Sequence, residues 1–223
     1  MKDPVAPPGP DTDRFSRRIS ELRAALLAKD PWQLAEFTGA DFRLLEPDQG
    51  EYHLLLWERP VVLTFPDLVA RSAQTGEELP VMNLALVLYY FNNADGAPVS
   101  GEWISFSELP DGRFYNQAFQ GYTGDQLGRT FQNDHQSYEH AAQALGGSRR
   151  ALGDVAYAFQ ALPRVPVLVV YWLGDEDFPA TSRILFDASA SHYLPTDAYA
   201  ILGSTITRRL IAARNESTHA DRH

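Results

Sequence analysis

The amino-acid sequence predicts an α+β fold: a mixed, mainly antiparallel sheet packed by N-terminal, central and C-terminal helices. Three observations carry this. Apolar residues recur at helical spacing near both ends of the chain, and short alternating or continuous apolar runs, bounded by Asp, Asn, Gly and Pro, fall between them. The two kinds of segment do not alternate as a doubly wound fold requires. With 44% apolar and 22% charged residues the composition is globular, and 223 residues suffice to bury a core without covalent staples. A single domain is expected over residues 12–214, with 1–11 a disordered, proline-rich lead-in and 215–223 a disordered tail.

The first helix is expected from Thr12, where Phe15, Ile19, Leu22 and Leu26 share a face. Asp30 followed by Pro31 reads as N-cap and first residue of a short second helix, which Gly39 stops. Asp41 to Glu46, Tyr52 to Trp57 and Val61 to Phe65 form a strand meander with a turn at Asp48, Gln49 and Gly50. Val81 to Phe91 is too long an apolar run for an average strand and predicts a buried helix. Gly101 to Leu109 alternates as a strand, turns at Pro110 to Gly112, and is expected to return as a partner strand over Arg113 to Phe119.

Residues 124–145 predict two short helices broken near Asn133, ended by Gly146 and Gly147. Val155 to Leu162 and Val167 to Leu173 follow as strands. The second is apolar on both faces and so belongs at the centre of a sheet. After a turn over Gly174 to Phe178, Arg183 to Phe186 is a further strand. Thr196 is expected to cap a closing helix whose Ala198, Leu202, Ile206 and Leu210 fall four apart.

The net charge of −10 and the lack of a long basic run count against nucleic acid as a partner. Without Cys, the chain itself supplies no disulfide, thiolate metal site or thiolate ligands for an iron–sulfur cluster. No stretch approaches the roughly 20 apolar residues of a membrane span, so a cytoplasmic, membrane-free protein is expected. The composition does not specify an oligomeric state.

Polar chemistry concentrates in Asp187 to Asp197 (DASASHYLPTD), where a strand end passes into a helix start. His192 there suits a general base or an axial ligand, with Asp187 to orient it and helix N–H groups beside it. Equally, His192 and Tyr193 suit capping and packing of the turn while Asp187 satisfies backbone donors. Glu102 and Glu108, placed on one strand face, would lie about 20 Å apart, too far for paired-carboxylate chemistry. Asp175 to Asp177 reads as a solvated turn, and His135 and His140, five apart, miss the spacing of a helical metal pair, so no metal site is expected.

The segments GEWISFSELPDGRFYNQAF (101–119), PVLVVYWLGDEDFP (166–179) and ILFDASASHYLPTDAYAILG (184–203) together resemble the uncharacterised DUF3786 family. The residues carrying this resemblance are Glu102, Trp103, Phe106, Glu108, Pro110, Tyr115, Phe119, Asp187, His192, Tyr193 and Pro195. Some relatives are labelled iron–sulfur proteins on a cysteine-rich segment, a label that does not transfer to a chain without Cys. The family's association with anaerobes using corrinoid-dependent metabolism implies a tetrapyrrole, heme or corrinoid, as candidate cofactor. The leading expectation is therefore a domain binding a small ligand or cofactor. His192 is the candidate ligand, and Tyr193, Trp103, Glu102, Glu108, Tyr115 and Phe119 are the candidate walls and polar contacts. The alternatives are an enzyme using Asp187 and His192 as acid and base, and an accessory interaction protein without a pocket.

Overall fold

The computed structural model describes residues 10–220. Along the chain run α1 (Pro10–Leu27), α2 (Pro31–Thr38), β1 (Asp41–Glu46), β2 (Gln49–Leu56), β3 (Arg59–Phe65), β4 (Ala70–Ser72), α3 (Val81–Asn93) and β5 (Trp103–Ser105). Then follow α4 (Gly112–Tyr122), α5 (Gly124–Phe131), α6 (His135–Ala144), β6 (Ser148–Arg150), β7 (Val155–Leu162), β8 (Val165–Trp172), β9 (Thr181–Asp187) and α7 (Thr196–Ala220). The fold is α+β as expected, but the strands form two antiparallel sheets, ordered β1-β2-β3-β4 and β5-β9-β8-β7-β6. No helix among the described residues is long and apolar enough to cross a membrane.

Local signals explain most elements. Asp30 accepts a hydrogen bond from Gln33 N–H at 2.8 Å, Pro31 opens α2, and Gly39 at φ 68° closes it. The meander is present, with a fourth strand, β4, added at its edge. Helix α3 is buried from Ala85 to Leu88 and again at Tyr90 and Phe91, so its apolar run is covered on nearly all sides. The break between α5 and α6 falls at Gln132 to Asp134, and β8 is the central strand of its sheet.

The sheet containing β8 has two unlike faces. Val167, Val169, Tyr171, Ile184 and Phe186 belong to the main core with residues of α4 to α7, whereas Leu168, Val170, Ala156 and Ala158 form a smaller cluster with Trp103, Trp172 and Leu185. Tyr138 and Tyr171 stitch the first face to the helices: Tyr138 Oη donates to Val169 O, and Tyr171 Oη to Gln132 O.

Several expectations are corrected. Arg113 to Phe119 is not a returning strand but most of α4, and β5 ends at Ser105. The Glu108 carboxylate accepts from both the N–H and the hydroxyl of Ser105, each at 2.7 Å, winding Phe106–Glu108 into a 3-10 turn. Gly112 then packs so closely on the Phe106 carbonyl that an added Cβ would lie 1.9 Å from its oxygen, and the preceding Asp111 is left-handed at φ 57°. Glu102 and Glu108 therefore share no strand face.

Thr196 is the first residue of α7 rather than its cap, and its hydroxyl donates to Pro110 O at 2.6 Å. The expected tail is helical as far as Ala220, because α7 continues its hydrogen bonding past Asn215. At the other end, α1 begins at Pro10, while residues 1–9 of the expected lead-in and 221–223 of the tail lie outside the described residues.

Candidate functional site

The turn after β9 is built as a clamp on the segment between α3 and β5. Asp187, only 2% exposed, accepts from Ser100 N and Oγ, Gly101 N, and Ser189 N and Oγ, at 2.6 to 3.0 Å. Burial pushes this carboxyl's pKa up, but the hydrogen bonds from Ser189, Ser100 and Gly101 outweigh it and hold the value below the ordinary range. Tyr193 is buried and its hydroxyl donates to Ala97 O, while Ala188 N–H donates to Glu102 O. Burial raises the Tyr193 phenol, so it stays protonated as a donor.

His192 completes the clamp from the outside. Its Nδ1 lies 2.7 Å from Asp95 Oδ2, with the two side chains 48% and 53% exposed. Asp95, not Asp187, orients the imidazole, because all the acceptor capacity that Asp187 uses is directed at Ser100, Gly101 and Ser189. The His192 hydrogen bond is the main cause of a lowered Asp95 pKa, and an ionised carboxylate only accepts. In a neutral imidazole this pairing places the proton on Nδ1 and leaves Nε2 as the acceptor.

Beside the clamp lies a cleft of about 560 Å³ between α4 and the start of α7. Tyr115, Ala118 and Tyr122, at positions i, i+3 and i+7 of α4, form one wall. Ser191, Leu194 and Pro195 of the turn form another, with Phe106 and Ala200 alongside. Asn93, Asp111, Thr196 and Asp197 supply polar groups. The Thr196 hydroxyl bond to Pro110 O ties the two acidic ends together, since Asp111 and Asp197 follow the bonded residues in sequence. Burial raises the Tyr122 phenol as well.

Of the candidate ligand, wall and acid–base residues expected from the sequence, Tyr115 alone lines this cleft, together with Phe106, Pro110 and Pro195 of the family-like segments. Phe119 supports it from behind: 2% exposed, it stacks on Phe106 with ring centroids 4.1 Å apart. Behind Phe119, Gly203 of α7 approaches so closely that an added Cβ would lie 2.5 Å from the ring. Trp103 belongs to the cluster on the other sheet face, Glu102 is exposed, and Glu108 caps its own turn. Tyr193 and Asp187 are clamp residues, and His192 is absent from the cleft's lining.

Sequence reasoning missed Asp111, Ala118, Tyr122, Leu194 and Asp197. The signal was present in Ser105-x-x-Glu108, a capping signature that announces a helical turn in place of a hairpin and so puts Tyr115 and Tyr122 on one face.

No curated protein matches the chain, and no solved structure does. A family described as "Domain of unknown function (DUF3786)" matches residues 30–209, which include the clamp, α4 and most of α7. The chain belongs to the DUF3786 family.

Proposed function

We propose that the protein binds a small, flat, largely apolar molecule in the cleft between α4 and α7. The observation that carries this is the lining: aromatic and aliphatic walls from Tyr115, Tyr122, Phe106 and Leu194, with Asp111, Asp197, Ser191 and Asn93 as a few polar groups. At about 560 Å³ the cleft has the size and polarity balance of small-molecule sites. Asp111 and Asp197 favour a ligand with a hydrogen-bond donor or a positive group. They argue against a tetrapyrrole, whose acidic side groups they would repel, and His192 is not at hand to ligate its metal.

The test uses the fluorescent probe 1-anilinonaphthalene-8-sulfonate and its amine-bearing analogue 1-aminonaphthalene with the full chain. Ala118→Trp, which fills the cleft from α4, is expected to abolish 1-aminonaphthalene binding while leaving the fold's circular dichroism unchanged. The sulfonate should bind more weakly than the amine, and equal binding of the amine to the wild type and the filled variant would sink the reading. Hemin is the comparison: a Soret shift lost in His192→Ala would restore the tetrapyrrole.

A second reading rests on the Asp95–His192 pair. A carboxylate on Nδ1 leaves Nε2 available as a base, next in sequence to Ser191 in the cleft wall. Under this reading the protein is an enzyme, and His192→Ala would remove turnover of a cleft-bound substrate without changing its affinity.

A further inference from the structure

A second cleft, of about 610 Å³, lies at the other half of α7 and involves none of the residues of the first. Its wall is Trp57, which with Glu58 makes the two-residue turn joining β2 to β3. Both residues are left-handed, at φ 52° and 62°, a conformation that side-chain-bearing residues rarely adopt. Trp57 is nevertheless buried and pinned by its N–H to Ala161 O of β7 at 2.9 Å. The strained turn thus holds an indole in place where Asn or Gly would be the ordinary choice.

The guanidinium of Arg209 lies over that indole, 5.4 Å from the ring centroid, and Arg59 lines the same cleft from the start of β3. Neither side chain has a hydrogen bond or ion pair among the described residues. Partial burial and the like charge of Arg59 both lower the pKa of Arg209, with Glu58 acting against them. Of the acids lining the cleft, Glu78 pairs with Arg71 at 2.9 Å, while Glu77 accepts from the Thr75 hydroxyl and keeps its charge, and neither pairs with Arg59 or Arg209. Two cations are therefore gathered in one cleft of a chain with net charge −10, with Ser72, Thr75, Asn83 and Thr205 supplying neutral polar groups around them.

We infer that Arg59 and Arg209 form an anion-binding site, with Trp57 as the platform that holds Arg209 in place, for a small ligand carrying a carboxylate or phosphate group. The planar guanidinium fork matches both groups, and stacking on an indole orients it in advance. A bound anion would also relieve the repulsion between the two arginines.

The experiment is calorimetric titration of the full chain with sodium phosphate and with sodium citrate, each against sodium chloride at equal ionic strength. Saturable binding of at least one is expected, weakened about tenfold or more in Arg209→Gln and abolished in the double variant R59Q/R209Q. Arg209→Lys keeps the charge without the fork and should fall between the wild type and Arg209→Gln. The tighter of the two anions identifies the group the site prefers. If the Arg209 variants do not fold, Arg59→Gln, at an exposed position, must still weaken binding several-fold. Absence of saturable binding of either anion by the wild type, or undiminished binding in the double variant, would overturn the inference.

Discussion

Asp187 and His192 stand five residues apart in one turn and both grip the segment between α3 and β5, yet they do so under opposite conditions. Asp187 is buried and receives five hydrogen bonds from three residues, whereas His192 shares a single one with Asp95 at the surface. A buried carboxylate surrounded by donors has no spare acceptor direction for chemistry, and losing it would leave the buried Ser189 N–H and hydroxyl without their partner. The exposed pair gains little from its attraction in high dielectric, but it keeps a ring nitrogen available. Within one motif, the residue that matters most to folding is therefore the one least suited to catalysis.

The largest effect is expected from Asp187→Ala. It should cost about 3 kcal/mol or more, roughly 6–12 °C in Tm, in urea and thermal unfolding, because several donors lose their partner together. A cost under 1 kcal/mol would mean that the clamp is not where stability resides. Acid titration supplies the next test. Since the folded pKa of Asp187 lies below its unfolded value near 4, its contribution is complete above about pH 4 and is lost as pH falls through the folded value. Urea midpoints between pH 6 and pH 3 should therefore fall less steeply in Asp187→Asn than in the wild type.

Tyr193→Phe removes only the hydroxyl given to Ala97 O, and about 1 kcal/mol is expected by the same unfolding measurement. His192→Ala should have the smallest effect, under about 1 kcal/mol and shrinking further at high salt. A larger loss there would assign His192 to the clamp on equal terms with Asp187.

Where local chemistry decides structure, the sequence was legible. Asp30-Pro31 and Gly39 bound α2, the all-apolar β8 is central, and the strand-to-helix turn is a polar junction. Alternation over Gly101 to Leu109 and the turn residues Pro110 to Gly112 suggest a hairpin with Arg113 to Phe119, but the Ser105–Glu108 capping box ends the strand at Ser105 and a helix follows. Phe114 and Tyr115, neighbours in sequence, are 86% and 68% exposed, which neither a strand face nor a buried helix stripe would lead one to expect. Tyr115 faces the cleft at helical spacing from Ala118 and Tyr122, whereas Phe114 does not line it. Proximity in the chain pairs Asp187 with His192, but the partners of Asp187 at Ser100 and Gly101 lie 87 and 86 residues away, and the Asp95 that holds His192 lies 97 away. Trp57 and Arg209 lie further apart still, and nothing in either neighbourhood announces the other.

If the cleft between α4 and α7 binds a ligand as proposed, the close packing of Gly203 on Phe119 bears on which sizes it would admit. Gly203 does not line the cleft, yet the ring it touches is stacked on Phe106, which does. A methyl group at 203 would have to displace Phe119 and, through it, the cleft floor. Relatives or engineered variants that accept larger or smaller molecules would thus have a point of adjustment behind the wall, where the ligand itself is never in contact.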